Sequence, residues 1–156
     1  MRCWISSLDT AFTEKTYDKK SGDADSTACT VWGVFFHEKR HNVILLDCWE
    51  DQIGMPELIR RVRKEMNTPY GDDEDAALIK PMFGSSKPLT SGRKPDVLLI
   101  EDKGSGISLR QTLGREGIVS APYNPGRARK LDRLHAVSPL FAAGGVWVVD
   151  RKSTRL

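Results

Sequence analysis

The sequence predicts a mixed α/β fold, and three observations carry that prediction. Three runs rich in β-branched and aromatic residues follow one another early: Arg2 to Ser7, Thr27 to Phe36 and Asn42 to Trp49. A stretch of helical period begins at Met55. Beyond it, Asp96 to Ile100 (DVLLI) is a continuous apolar run, the signature of a strand covered on both faces. The expected order is three strands, helix, strand, helix, strand, helix, strand, with an antiparallel meander feeding a parallel section.

Each element has its own signal. Arg2 to Ser7 reads as a strand that closes on the carboxylate of Asp9, and Thr13 to Ser26 is polar and reads as a loop. The charged and imidazole run His37 to His41 predicts a turn between the second and third strands. Met55, Leu58, Ile59, Val62 and Met66 recur at helical spacing, with Pro56 suited to the first turn and Arg60, Arg61, Arg63 and Lys64 mostly on the wet side. Residues 67–95 are rich in Gly, Pro, Ser and charge and read as a long loop or insertion. Gly104-Ser105-Gly106 breaks the apolar strand, and Ile107, Arg110 and Leu113 open a helix. Gly117 to Ser120 predicts a brief strand. Leu131, Leu134, Val137 and Phe141 predict a helix interrupted or restarted at Ser138-Pro139, and Val146 to Val149 a last strand.

Composition narrows the function. The 156 residues are 39% hydrophobic and 29% charged, enough for one domain with one core and too apolar for disorder. No apolar run approaches the roughly 20 residues of a membrane span, and the start meets Asp9 too soon for a signal peptide. Cys3, Cys29 and Cys48 have no CxxC spacing, which argues against a disulfide framework or a zinc site and for a reducing, cytoplasmic compartment. A net charge of +3 is too mild to name a partner; the placement of the charges matters more.

Two acidic positions stand out because each ends an apolar strand: Asp9, and the pair Glu101-Asp102. If those strands end side by side, the carboxylates converge at the sheet edge where open α/β sheets bind ligands. Converging carboxylates repel unless a cation sits between them, and Mg²⁺ or Mn²⁺ suits an all-oxygen set. The competing reading is that these acids are solvated turn residues. The segment 127–133 (RARKLDR) sets Arg127, Arg129, Lys130 and Arg133 against Asp132, and Lys103 follows the second acid pair. Such residues suit phosphate contact, or equally a solvated helix start. The acidic run Asp72 to Asp75 reads as a solvated helix start or loop, and His37, His41 and His135 as surface residues. The sequence holds no GxSxG elbow and no full phosphate-binding loop.

The ordered set of these segments resembles the nuclease domain of tailed-phage large terminase subunits. The residues that carry the resemblance are Ser7 to Phe12 (SLDTAF), Asp25 to Ala28 leading into Val31-Trp32-Gly33, and Leu45-Leu46-Asp47. They continue in Val97 to Gly106 (VLLIEDKGSG), Arg129-Lys130 through Arg133, Ala136 to Phe141 (AVSPLF), Gly144 and Val146. The resemblance spans roughly residues 3–149 and implies a ribonuclease-H-like fold and a metal-dependent endonuclease. Such an enzyme cuts concatemeric double-stranded DNA during viral genome packaging, in the bacterial cytoplasm, with two Mg²⁺ or Mn²⁺ ions. It implies the terminase small subunit and the portal as partners and no membrane. Carried over by position, Asp9 and Glu101 are the expected metal ligands and Asp25 an assisting acid. Asp102 neighbours the catalytic pair, but alternation along a strand lets only one of Glu101 and Asp102 lead, and Glu101 is favoured. Lys103, Arg127, Arg129, Lys130 and Arg133 are the expected DNA contacts.

The resemblance also implies departures. The family joins this domain to an upstream ATPase and carries a third catalytic aspartate on a helix after the last strand; residues 1–149 read as an incomplete domain that lacks both. Residues 150–156 read as a tail unlike the family. The alternatives are an inactive remnant that binds DNA or packaging proteins, and another ribonuclease-H-like nuclease such as a junction resolvase.

Overall fold

A computed structural model of the chain describes residues 3–10, 26–70 and 92–148. Nine elements follow in chain order: β1 (Cys3–Asp9), β2 (Thr27–His37), β3 (Arg40–Asp51), α1 (Met55–Asn67), β4 (Val97–Glu101), α2 (Ser105–Arg115), β5 (Ala121–Tyr123), α3 (Lys130–Ala142) and β6 (Val146–Val148). They form a 6-stranded sheet in the order β5-β4-β1-β2-β3-β6. The β1–β2 and β2–β3 pairs are antiparallel, whereas β1–β4, β4–β5 and β3–β6 are parallel. Among the described strands β2 alone runs against the rest. An antiparallel meander flanked by parallel strands is the ribonuclease-H-like mixed α/β sheet.

Alternation sorts the sheet into two faces. Trp4, Ser6 and Leu8 of β1 are buried, while the intervening Cys3, Ile5 and Ser7 are half-buried. The helices cover the first of these faces. Leu58 and Val62 of α1 and Leu109 and Leu113 of α2 pack with Leu8, Cys29, Leu98 and Ile100 into one cluster. A second cluster joins Trp4, Val31, Phe35, Ile44, Leu46 and Tyr70. Gly33 sits where a side chain has little room: a β-carbon there would lie 3.0 Å from both Ile44 and the Trp4 ring.

The α1 and α2 connections both step from β3 toward β5. The connection from β5 to β6, which contains α3, runs the other way across the sheet. No residue of α3 is buried or joins either core cluster. No helix among the described residues is long and apolar enough to cross a membrane.

Two expectations are corrected. The brief strand falls at Ala121–Tyr123, not at Gly117 to Ser120. The residues between are used in closing α2: Gly117 has φ +80°, its N–H bonds the Gly114 carbonyl, and the Ile118 N–H bonds that of Leu113. Pro122 is tolerated because β5 is an edge strand. The last helix is also continuous through Ser138-Pro139. Pro139 removes one backbone donor inside the last turn without ending the helix, and the Ser138 hydroxyl donates to the Leu134 carbonyl at 2.9 Å. The ends of the long excursion meet: Tyr70 and Arg93 exchange backbone hydrogen bonds of 3.0 and 2.9 Å. The acidic run 72–75 lies outside the described residues.

Candidate functional site

The C-terminal ends of β1, β4 and β5 lie side by side at one edge of the sheet. Ser7 pairs with Leu99 and Leu8 with Ile100, so the next step of the register sets Asp9 beside Glu101. Glu101 in turn pairs with Tyr123. Leu8 and Ile100 point into the helix-covered core, so Asp9 and Glu101, one residue on, point together to the opposite face. Neighbouring strands are about 4.8 Å apart, which brings two carboxylates onto adjacent strand ends. Lys103 supplies a nearby cation, its Nζ 3.9 Å from Glu101 Oε1.

Local sequence holds this edge together. Gly104, at φ +47°, turns the chain out of β4 and caps α2. Gly106 then lets α2 approach the strand end, since a β-carbon there would lie 2.0 Å from the Glu101 carbonyl oxygen. Ser105 ties the two acidic strands: its hydroxyl donates to the Thr10 carbonyl at 3.2 Å and lies 3.0 Å from the Thr10 hydroxyl. The GSG segment thus acts as a helix cap and a strap between β1 and β4. Its glycine spacing was the signal for this, but the Thr10 contact spans 95 residues and has no local trace.

Asp102 is turned elsewhere. Arg110 of α2 donates to its Oδ1 at 2.7 Å, and its backbone N–H bonds the Tyr123 carbonyl at 2.8 Å. The structure therefore brings Asp9 and Glu101 together and commits Asp102 to the helix side. Asp25 lies outside the described residues. Arg127, Arg129 and Lys130 are exposed, and the Arg129 N–H bonds Asp132 Oδ2 at 3.1 Å to start α3. Arg133 is half-buried. None of these four cations has an ion-pair partner among the described residues, and all follow the β5 end that adjoins Glu101. Among the described residues no three His, Cys, Asp or Glu side chains are arranged to hold a metal.

A different polar group is buried under the helix-covered face. Glu65 of α1 accepts from Trp49 Nε1 at 3.3 Å and from the Tyr70 hydroxyl. Burial pushes its carboxyl above the ordinary range, partly offset by the Trp49 bond. Nearby, burial pushes the Cys29 thiol up to about 12, so it is inert as a nucleophile. These residues belong to the core and lie on the other face from Asp9 and Glu101.

No protein-family model matches this chain, and neither the curated proteins nor the solved structures contain a significant match.

Proposed function

We propose that the chain is a DNA endonuclease domain of the terminase type, with Asp9 and Glu101 holding a divalent cation against a DNA phosphate. The observation that carries this reading is the register of β1 and β4, which aligns two carboxylates on one face at the C-terminal edge of the parallel strands. The donor chemistry fits: carboxylate oxygens are the preferred ligands of Mg²⁺ and Mn²⁺, and Lys103 neutralises only one of the two charges. Bound there, such a cation supplies charge neutralisation for the phosphodiester and lowers the pKa of water.

The chain's own residues have distinct tasks in this reading. Asp9 and Glu101 hold the cation, and the Ser105–Thr10 strap fixes the spacing of their strands. Arg127, Arg129 and Lys130 hold the DNA backbone on the adjoining lip, without base readout. Arg110 keeps Asp102 out of the site. Supercoiled plasmid tests the proposal: nicking that requires Mn²⁺ and is lost in Asp9→Asn and in Glu101→Gln is expected. Nicking that persists in chelator, or in either variant, refutes it.

A second reading is DNA binding without cleavage. The Lys103 ammonium beside Glu101 favours it, because an internal cation already relieves half of the carboxylate repulsion. Salt-sensitive plasmid binding with no nicking at any Mn²⁺ concentration is its signature.

A further inference from the structure

An exposed aromatic ring stands at the same sheet edge as the two acids. Glu101 of β4 pairs with Tyr123 of β5. Paired residues on neighbouring strands project from one face, so Tyr123 shares the face of Glu101, about 4.8 Å away between backbones. Tyr123 is 46% exposed and belongs to neither core cluster. Its hydroxyl has no hydrogen-bond partner among the described residues.

The backbone beneath that ring is fixed. The Asp102 N–H bonds the Tyr123 carbonyl at 2.8 Å, and Pro122 and Pro125 restrict the chain on either side. Just beyond, the Gly126 N–H donates to the Asn124 side chain at 2.8 Å and closes a turn, with Gly126 at φ +64°. Arg127 follows at once, and even a fully extended chain keeps it within about 14 Å of Tyr123. Arg127, Arg129 and Lys130 are exposed and have no ion-pair partner among the described residues.

A firmly mounted aromatic face beside unpaired cations suits single-stranded nucleic acid: the cations follow the phosphates while a base stacks on the ring. Inside an intact duplex both faces of each base are already covered by its neighbours, so such a ring has nothing to stack on. We propose that Tyr123 is a stacking platform for an unpaired base, and that the DNA held at this edge is single-stranded or locally opened. The inference rests on the reading of Arg127, Arg129 and Lys130 as DNA contacts and names the form of that DNA. It needs no bound cation.

Fluorescence anisotropy with labelled oligonucleotides, in chelator so that nothing is cut, tests it on the full chain. Tyr123→Ala should weaken binding of a single strand of about 12 nucleotides by about five- to hundredfold, the worth of one base–aromatic stack. Its effect on a blunt duplex should stay below about twofold, because phosphate contacts alone hold that ligand. Tyr123→Phe, which keeps the ring, should bind the single strand as the wild type does. An abasic strand of the same length should bind the wild type and Tyr123→Ala alike. Equal loss on single strand and duplex, no loss on either, or failure of Tyr123→Phe to retain binding overturns the platform while the lip still contacts DNA. No DNA binding by the wild type at low salt overturns the lip and the platform together.

Discussion

Alanine at position 106 would carry its β-carbon to 2.0 Å from the Glu101 carbonyl oxygen and 3.2 Å from Ile100 Cγ2. Carbon and carbonyl oxygen approach no closer than about 3.3 Å, so α2 must retreat from β4 by more than about 1 Å. The obstacle is backbone at the end of a paired strand, which cannot swing aside as a side chain would. Leu109 and Leu113, both fully buried, move with the helix and loosen their contacts with β4. Overpacking of this kind costs about 3 kcal/mol at the upper end of its usual range. Replacing glycine by alanine inside a helix returns about 1 kcal/mol, leaving a net loss of about 2 kcal/mol. For a chain of this size that lowers the melting temperature by roughly 4–8 °C. Gly114, in the same helix, is the internal control: nothing lies within 4 Å of its added β-carbon. Gly114→Ala should therefore stabilise, by up to about 1 kcal/mol. Thermal unfolding of both variants decides the matter. If Gly106→Ala matches Gly114→Ala, the close approach of α2 to the Glu101 strand end is refuted, and with it the account of how that end is positioned.

Two further predictions concern stability. The β2–β3 turn puts Glu38 (φ +49°) and Lys39 (φ +62°) in the left-handed region between the paired His37 and Arg40, the geometry of a type I′ turn without its preferred residues. Replacing them with Asn-Gly should stabilise by about 1–2 kcal/mol, read as a higher urea midpoint; an unchanged or lower midpoint contradicts the turn assignment. The raised pKa of Glu65, caused first by burial, means that the folded state binds its proton more tightly than the unfolded one. Its stabilising contribution is therefore full below the ordinary glutamate value of 4.5 and is lost as pH rises through the higher folded value. The charged groups around it are Asp47, Arg61 and Lys64, with Trp49 and Tyr70 as donors. Glu65→Gln should flatten the fall of the urea midpoint as pH rises above 4.5, and a slope equal to that of the wild type contradicts it.

The parts of this fold that were legible are those whose signal is local. The meander was legible because β2 and β3 are unbroken runs of β-formers joined by a charged turn, and β4 because an apolar run bounded by acids has few other uses. Helix α1 announced itself through the helical spacing of Met55, Leu58, Ile59, Val62 and Met66; Leu58 and Val62 are buried, and the burial of Glu65 beside them left no trace in that pattern. The short β5 was displaced because Gly117 serves the C-terminus of α2, a backbone role that apolar patterning does not report. Pro139 misled because a proline reads as a break, yet the helix continues past it to Ala142. At the site, alternation set Glu101 and Asp102 on opposite sides, and Asp102 pairs with Arg110 on the helix side; the preference for Glu101 came from the resemblance. The alignment of Tyr123 with Glu101 was not legible. It depends on the register of β4 and β5, and the displaced reading of β5 left Tyr123 outside any strand.

The claim on which the functional account depends is that Asp9 and Glu101 together hold a divalent cation. Titrating Mn²⁺ into ¹⁵N-labelled protein and following amide signals by NMR tests it most directly, because the ion broadens only its neighbours. The account predicts selective loss of the Leu8 to Thr10 and Glu101 to Lys103 amides, with those of α1 retained, and reversal on adding chelator. Retention of both strand ends at Mn²⁺ concentrations that broaden other surface acids, such as Asp51 and Glu57, would contradict it.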